Sequence, residues 1–209
     1  MVKTKDYDVR SGIVRQLLSE GIERKNIRHE ITLDTSSSGG RADLVILTDA
    51  AIIGIEIKSG SDTIDRCSAQ FEAYRTSFDA IHLVIDADLS KKITEKLDWD
   101  DIIFHSEELR FSNKWNDKRA LPGGLRFEIS KINSSETSAI SMARLLWRAE
   151  TEFVTGSIGH RIKRRSDALK WIRENACLKE LRPLVVKMLR QRIPNLWENS
   201  FWSKFDQKA

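Results

Sequence analysis

The sequence predicts a mixed α/β layer fold followed by a basic helical extension. Two observations carry this. Short runs rich in branched residues alternate with segments of helical periodicity through the first half of the chain. From about residue 137 onward the pattern is helical, and positive charge concentrates at the end. Residues 161–209 hold 13 Lys/Arg against 5 Asp/Glu, whereas residues 1–160 hold 22 against 26.

Each element has its own signal. Ile13, Val14, Leu17 and Leu18 form an apolar stripe that predicts a helix over 8–20, with Gly21 as its stop. Residues 27–33 (IRHEITL) read as a strand with polar intrusions, and TSSSGG at 35–40 as a loop. Two further strands are expected at 43–48 and 51–58. The Asp49–Ala50 link between them is short enough for a hairpin. Ile64, Cys67, Phe71, Tyr74 and Phe78 fall at three- and four-residue steps, predicting a helix over 62–78 capped by Ser61 or Asp62. A buried strand follows at 81–85, then a short helix at 88–97, a strand at 101–105, and a turn at Pro122-Gly123-Gly124 before LRFEI. Beyond a linker at 131–138, helices are expected at 137–155, 163–175 and 178–191, with Ser166 as an N-cap. The expected division is a core over 1–130 and a helical module over 131–209.

Composition narrows the function classes. The 209 residues carry 35 Lys+Arg and 31 Asp+Glu, a net charge of +4, and 40% of them are hydrophobic, enough for a sizeable core. No run approaches the roughly 20 apolar residues of a membrane span, and the first residues lack a signal-peptide apolar region. No membrane association is expected, and the cytoplasm is the expected compartment. Cys67 and Cys177 alone support neither a disulfide framework nor a common zinc site. The four histidines are scattered, and no phosphate-cradling glycine motif is present. Ser36, Ser37 and Ser38 lack the context of a nucleophile elbow.

The informative constellation is Asp43 followed by Glu56-Ile57-Lys58. Glu56 and Lys58 share one face of a strand, roughly 7 Å apart along it. In a hairpin, Asp43 lies across from them. Strand interiors disfavour Asp, Glu and Lys, so three such charges among Leu, Val and Ile need pairing, metal or solvent. Two carboxylates plus the Ile57 backbone carbonyl suit Mg²⁺ or Mn²⁺, which would stabilise charge on a phosphate and acidify a bound water. Lys58 would orient that water, sharing in its deprotonation if burial lowers its pKa. The competing reading is an edge-strand Glu–Lys pair with Asp43 in a turn. Glu30 adds a third carboxylate on the preceding strand, or is an ordinary surface residue. Gln70 and Tyr74 lie four apart on one helix face: the Gln70 amide can hold a metal-bound water or Lys58, and Tyr74 can stack on or bond to a phosphate, although Tyr74 also fits the core stripe. Asp62 and Arg66 suit a helix-start pair, and Arg66 also suits a phosphate.

The run Glu30, Asp43, Glu56-x-Lys58 and Gln70-x-x-x-Tyr74 resembles the PD-(D/E)XK nuclease superfamily, and its QxxxY ending resembles the RecB-like branch. The stretches GGRADLVIL, GIEIKSGSDTIDR and QFEAY are similar to small bacterial and phage proteins of that superfamily. The resemblance covers about residues 8–105. It implies a restriction-endonuclease-like mixed sheet flanked by helices, with divalent metal serving phosphodiester hydrolysis. Asp43 and Glu56 become metal ligands, Lys58 the water-positioning residue, Glu30 the auxiliary acid, and Gln70 and Tyr74 the helical support. One departure is Ala42 where the motif has proline.

The basic extension completes this reading. Apolar Leu169, Ile172, Leu181, Leu184, Val185, Met188 and Leu189 leave Lys163, Arg164, Arg165, Lys170, Arg173, Lys187, Arg190 and Arg192 for the opposite side. Such a surface suits a phosphate backbone without sequence choice; the apolar stripe suits dimerisation. Trp197, Phe201, Trp202 and Phe205 either stack on bases or pack back on the domain. The expectation is a Mg²⁺- or Mn²⁺-dependent nuclease acting on DNA, with a homodimer left open. The alternative is a non-catalytic binder with a nuclease-like fold, in phage–host conflict for example.

Overall fold

The computed structural model describes residues 6–33, 40–59, 62, 74–85 and 137–207. The elements expected at 88–97, 101–105 and 122–129 lie outside these residues, as does most of the 35–40 loop. The described chain forms helix α1 (Asp6–Ser19), strands β1 (Ile27–Leu33), β2 (Gly40–Leu47), β3 (Ile52–Lys58) and β4 (Ala80–Ile85), then helices α2 (Ala139–Ala143), α3 (Arg148–Ser157), α4 (Arg165–Asn175), α5 (Leu178–Gln191) and α6 (Leu196–Gln207). Residues 74–77 are helical, at the end of the helix expected over 62–78.

The expected α/β class is observed: the four strands form one mixed sheet in the order β1-β2-β3-β4, followed by C-terminal helices. β1–β2 and β2–β3 are antiparallel, and β3–β4 is parallel. The expected hairpin is present, with Leu47 opposite Ile52 and Thr48 N–H donating to the Ala51 carbonyl at 2.9 Å. Every residue of β3 is buried, as befits a central strand covered on both faces. Gly54 is required there. A Cβ at this position would lie 2.5 Å from the Phe78 ring.

Helices cover both faces. On one, Val9, Ile13, Val14 and Leu17 of α1 and Phe201 and Phe205 of α6 pack on Leu44, Ile46, Ile53, Ile55 and Ile57. On the other, Met142, Val154, Ile172, Leu181, Val185 and Leu189 of α2–α5 pack on Leu33, Val45, Leu47, Ile52, Tyr74 and Phe78. The helices after residue 131 thus share both cores with the sheet.

Several local expectations need correction. The helix expected over 137–155 is two helices separated by a turn. Ser138 caps the first, accepting from Ser141 N–H at 3.2 Å, and the Glu150 side chain accepts from Trp147 N–H at 2.6 Å at the start of the second. Ser166 is not the N-cap of α4; Arg164 occupies that position. Arg165, Arg190 and Arg192 do not lie on a free basic side. Arg165 donates to the Leu146 and Arg144 carbonyls, Arg190 to Asn26 and Asp49, and Arg192 to Glu150. Arg182 also turns inward, forming a two-pronged pair with buried Asp79 at 2.6 and 3.0 Å. Arg182 and Arg190 thus fasten α5 to residues flanking the strands, and Arg165 and Arg192 hold the C-terminal helices to one another.

Candidate active site

The sheet is irregular where the charged residues converge. Alternation along β1 puts Ile27 in one core, then Ile31 and Leu33 in the other, so the strand changes phase between them. Glu30 sits at that change with φ +56°, in the left-handed region that a residue with a bulky side chain rarely occupies. The β1–β2 pairing skips Glu30 and Asp43, which fall at the same level between the pairs His29↔Leu44 and Ile31↔Ala42. β2 changes phase at the same level, with Ala42 in one core and Leu44 in the other. Paired residues of β2 and β3 run from Leu47↔Ile52 to Leu44↔Ile55. Beyond this, the Asp43 side chain substitutes for a ladder carbonyl: its Oδ2 accepts from Ile57 N–H at 2.8 Å.

This arrangement brings four expected residues to Asp43 or its neighbours. Glu56 and Lys58 share a face, and Lys58 Nζ donates to Glu56 Oε1 at 2.7 Å. Tyr74 donates its hydroxyl to Glu56 Oε2 at 2.5 Å and lies 2.9 Å from the Arg41 carbonyl. Tyr74 is also fully buried, as expected from its place on the apolar stripe. Glu30 Oε1 accepts from Arg10 at 2.9 Å, and its other oxygen pairs with Arg41. Gln70 and Arg66 lie outside the described residues. Asp62 accepts from the Ser59 N–H and hydroxyl, both at 2.7 Å.

Two cations were not singled out in the sequence. Arg10, 1% exposed, reaches from α1 into the cluster. It donates to Asp6 at 2.9 and 3.0 Å, to Glu30 at 2.9 Å, to Asp43 Oδ1 at 3.3 Å, and to the Asp43 carbonyl. Its signal is an arginine at a stripe position: Arg10, Ile13, Val14 and Leu17 follow helical spacing, and all are buried. Arg41, exposed beside Glu30, has no comparable signal beyond its place near Asp43.

The electrostatics follow from this crowding. Burial, and then the nearby Glu56 carboxylate, push Asp43 up to about 7, against the pull of Arg10 and the Ile57 N–H. Burial also raises Glu30 despite Arg10 and Arg41. Burial and the adjoining carboxylates push the Tyr74 hydroxyl up, so it remains a proton donor.

A hard divalent cation fits the chemistry of the Asp43–Glu56 donor set. Their mutual repulsion is what such a cation relieves, and the Asp43 side chain is 21% exposed. Among the described residues, no group of three or more His, Cys, Asp or Glu side chains is arranged to hold a metal. Mg²⁺ commonly takes one or two carboxylates and completes its shell with water and phosphate.

Of the expected phosphate contacts, Lys163, Arg164, Lys170 and Arg173 are exposed on α4 and the segment before it. Arg165 is half-buried and bonded to backbone. No helix among the described residues is long and apolar enough to cross a membrane.

A family model described as Bacteriophage P4 protein cII matches residues 2–209. The chain belongs to that family. No curated protein and no solved structure matches it. The cII family match spans both the sheet and the C-terminal helices, which is the extent of the two shared cores.

Proposed function

We propose that this cII-family chain is a metal-dependent nuclease of the PD-(D/E)XK kind, hydrolysing phosphodiester bonds of DNA. The observation that carries this reading is the meeting of Asp43, Glu56 and Lys58 where β2 leaves β3. Asp43 and Glu56 would hold Mg²⁺ or Mn²⁺, which would supply charge stabilisation at the phosphate and a more acidic water. Lys58 would orient the attacking water. Tyr74 fixes the Glu56 carboxylate, and Arg10 holds Asp43 and Glu30 in place. The exposed cations of 163–173 would hold the backbone.

A second reading is a non-catalytic nucleic-acid or protein binder on the same scaffold. One observation favours it: Arg10 and Lys58 already pair with the carboxylates that a metal would need. The two readings separate on incubating purified protein with plasmid, linear, single-stranded and branched DNA, and with RNA, in Mg²⁺ or Mn²⁺. The nuclease reading expects metal-dependent cutting of DNA that Lys58→Ala loses. Binding without cutting, indifferent to Asp43→Ala, supports the binder. Cutting of RNA alone moves the substrate.

A further inference from the structure

Beside the proposed catalytic cluster, Trp197 lies over the Arg10 side chain and has no part in the proposed hydrolysis. The Arg10 guanidinium lies 4.5 Å from the centre of the Trp197 ring, and the same guanidinium is 3.3 Å from Asp43 Oδ1. One guanidinium group therefore separates the indole from the carboxylate. The ring packs against Phe201 at 5.8 Å and 7°, and lies 5.6 Å from His29. Arg10 is 1% exposed, so the ring face against it is covered, yet Trp197 as a whole is 40% exposed. Part of the indole is therefore open to solvent. Of the aromatic residues on α6, Phe201 and Phe205 are buried and Trp202 is half-buried; Trp197 is the one presented to solvent. Leu196, 90% exposed, and Ile193, 82% exposed, are further exposed apolar residues in the same stretch of chain.

We propose that the solvent-exposed part of the Trp197 indole is a stacking site for an unpaired nucleobase adjoining the phosphate held at Asp43 and Glu56, which makes single-stranded DNA the preferred substrate. This rests on the nuclease reading for the position of the phosphate. An exposed indole favours any base with a free face. Bases in a duplex have both faces occupied by their neighbours, so a paired strand gains nothing from this ring. Base–aromatic stacking is worth about 1–3 kcal/mol, which corresponds to about 5- to 150-fold in affinity. Trp197 is a binding residue on this account and performs no chemistry.

The test is fluorescence anisotropy in Mg²⁺, in a Lys58→Ala background that keeps both carboxylates. The probes are labelled oligothymidylate and a labelled duplex. The single strand is expected to bind more tightly than the duplex. Trp197→Ala is expected to weaken the single strand about 5- to 150-fold while leaving the duplex within about twofold. Trp197→Phe keeps a smaller ring and is expected to fall between, which separates stacking from a folding defect. Equal loss for both probes, no loss for either, or a parent that prefers duplex or binds neither probe overturns the proposal. So does a parent dimer that Trp197→Ala dissociates without changing oligonucleotide binding, because the exposed indole then serves a second copy of the chain. A Trp197-dependent single-strand preference without cleavage by the unmodified protein leaves the stacking site standing and removes the nuclease reading. Cleavage with unchanged Trp197→Ala binding does the reverse.

Discussion

Asp43 has three neighbours that set its behaviour: the Ile57 N–H, the Arg10 guanidinium and the Glu56 carboxylate. Its folded pKa of about 7 stands above the ordinary carboxyl value of about 3.9. The folded state therefore retains a proton that the unfolded chain releases. This group's contribution to stability is fully present below about pH 4 and is lost as pH rises through about 7. The urea midpoint is expected to fall between pH 5 and pH 8, and Asp43→Asn is expected to fall less; equal slopes contradict the assignment. The same titration frees a metal ligand, so Mn²⁺ affinity measured by calorimetry is expected to rise from pH 6 to pH 8. Arg10 offers a second check. Arg10→Met keeps the stem but leaves Glu30 and Asp43 without their buried cation, at an expected cost of about 3–5 kcal/mol in urea denaturation. A loss below 1 kcal/mol would show that the cluster does not depend on it. The acidic and lysine members of the site were legible as charges in an apolar strand context. Arg10 was not, because a single arginine on a helix stripe reads as a solvated residue until its partners from β1 and β2 are in place.

β3 places Glu56 and Lys58, and it can do so because its neighbours fit closely around Gly54. Gly54→Ala forces a methyl group against the Phe78 ring. It is expected to destabilise by about 1–3 kcal/mol, read from the thermal midpoint, with no change if Phe78 can swing aside. Strand periodicity gave β1, β3 and β4 within a residue of their observed bounds, because branched residues and short turns are local signals. The phase change at Glu30 and Asp43 was beyond reach. An alternation pattern in one strand does not reveal that its partner shifts at the same level, and a glutamate at φ +56° has no local signature. Similarly, the turn splitting α2 from α3 is stabilised by Arg165 and Arg192, which reach the carbonyls of Arg144, Leu146 and Leu145 from far along the chain.

For the molecule as a whole, the net charge of +4 conceals a division of labour within the basic segment. Arg182, Arg190 and Arg192 join α5 to Asp79, Asp49 and Glu150, whereas Lys163, Arg164, Lys170 and Arg173 face solvent. Charge counts could locate the positive segment but could not sort its members, since inward and outward arginines look alike in sequence. The Lys170→Glu/Arg173→Glu double variant is expected to weaken DNA binding and to reduce the slope of log affinity against log salt by about 2, with the fold intact. An unchanged slope removes α4 from the DNA interface. The most direct test of the whole account is single-turnover cleavage of labelled DNA in Mn²⁺ by the unmodified protein, Asp43→Ala and Lys58→Ala. The account expects cleavage by the unmodified protein, abolished by chelation and reduced at least about 100-fold in each variant. Cleavage that survives either substitution, or none by the unmodified protein on any DNA, contradicts it.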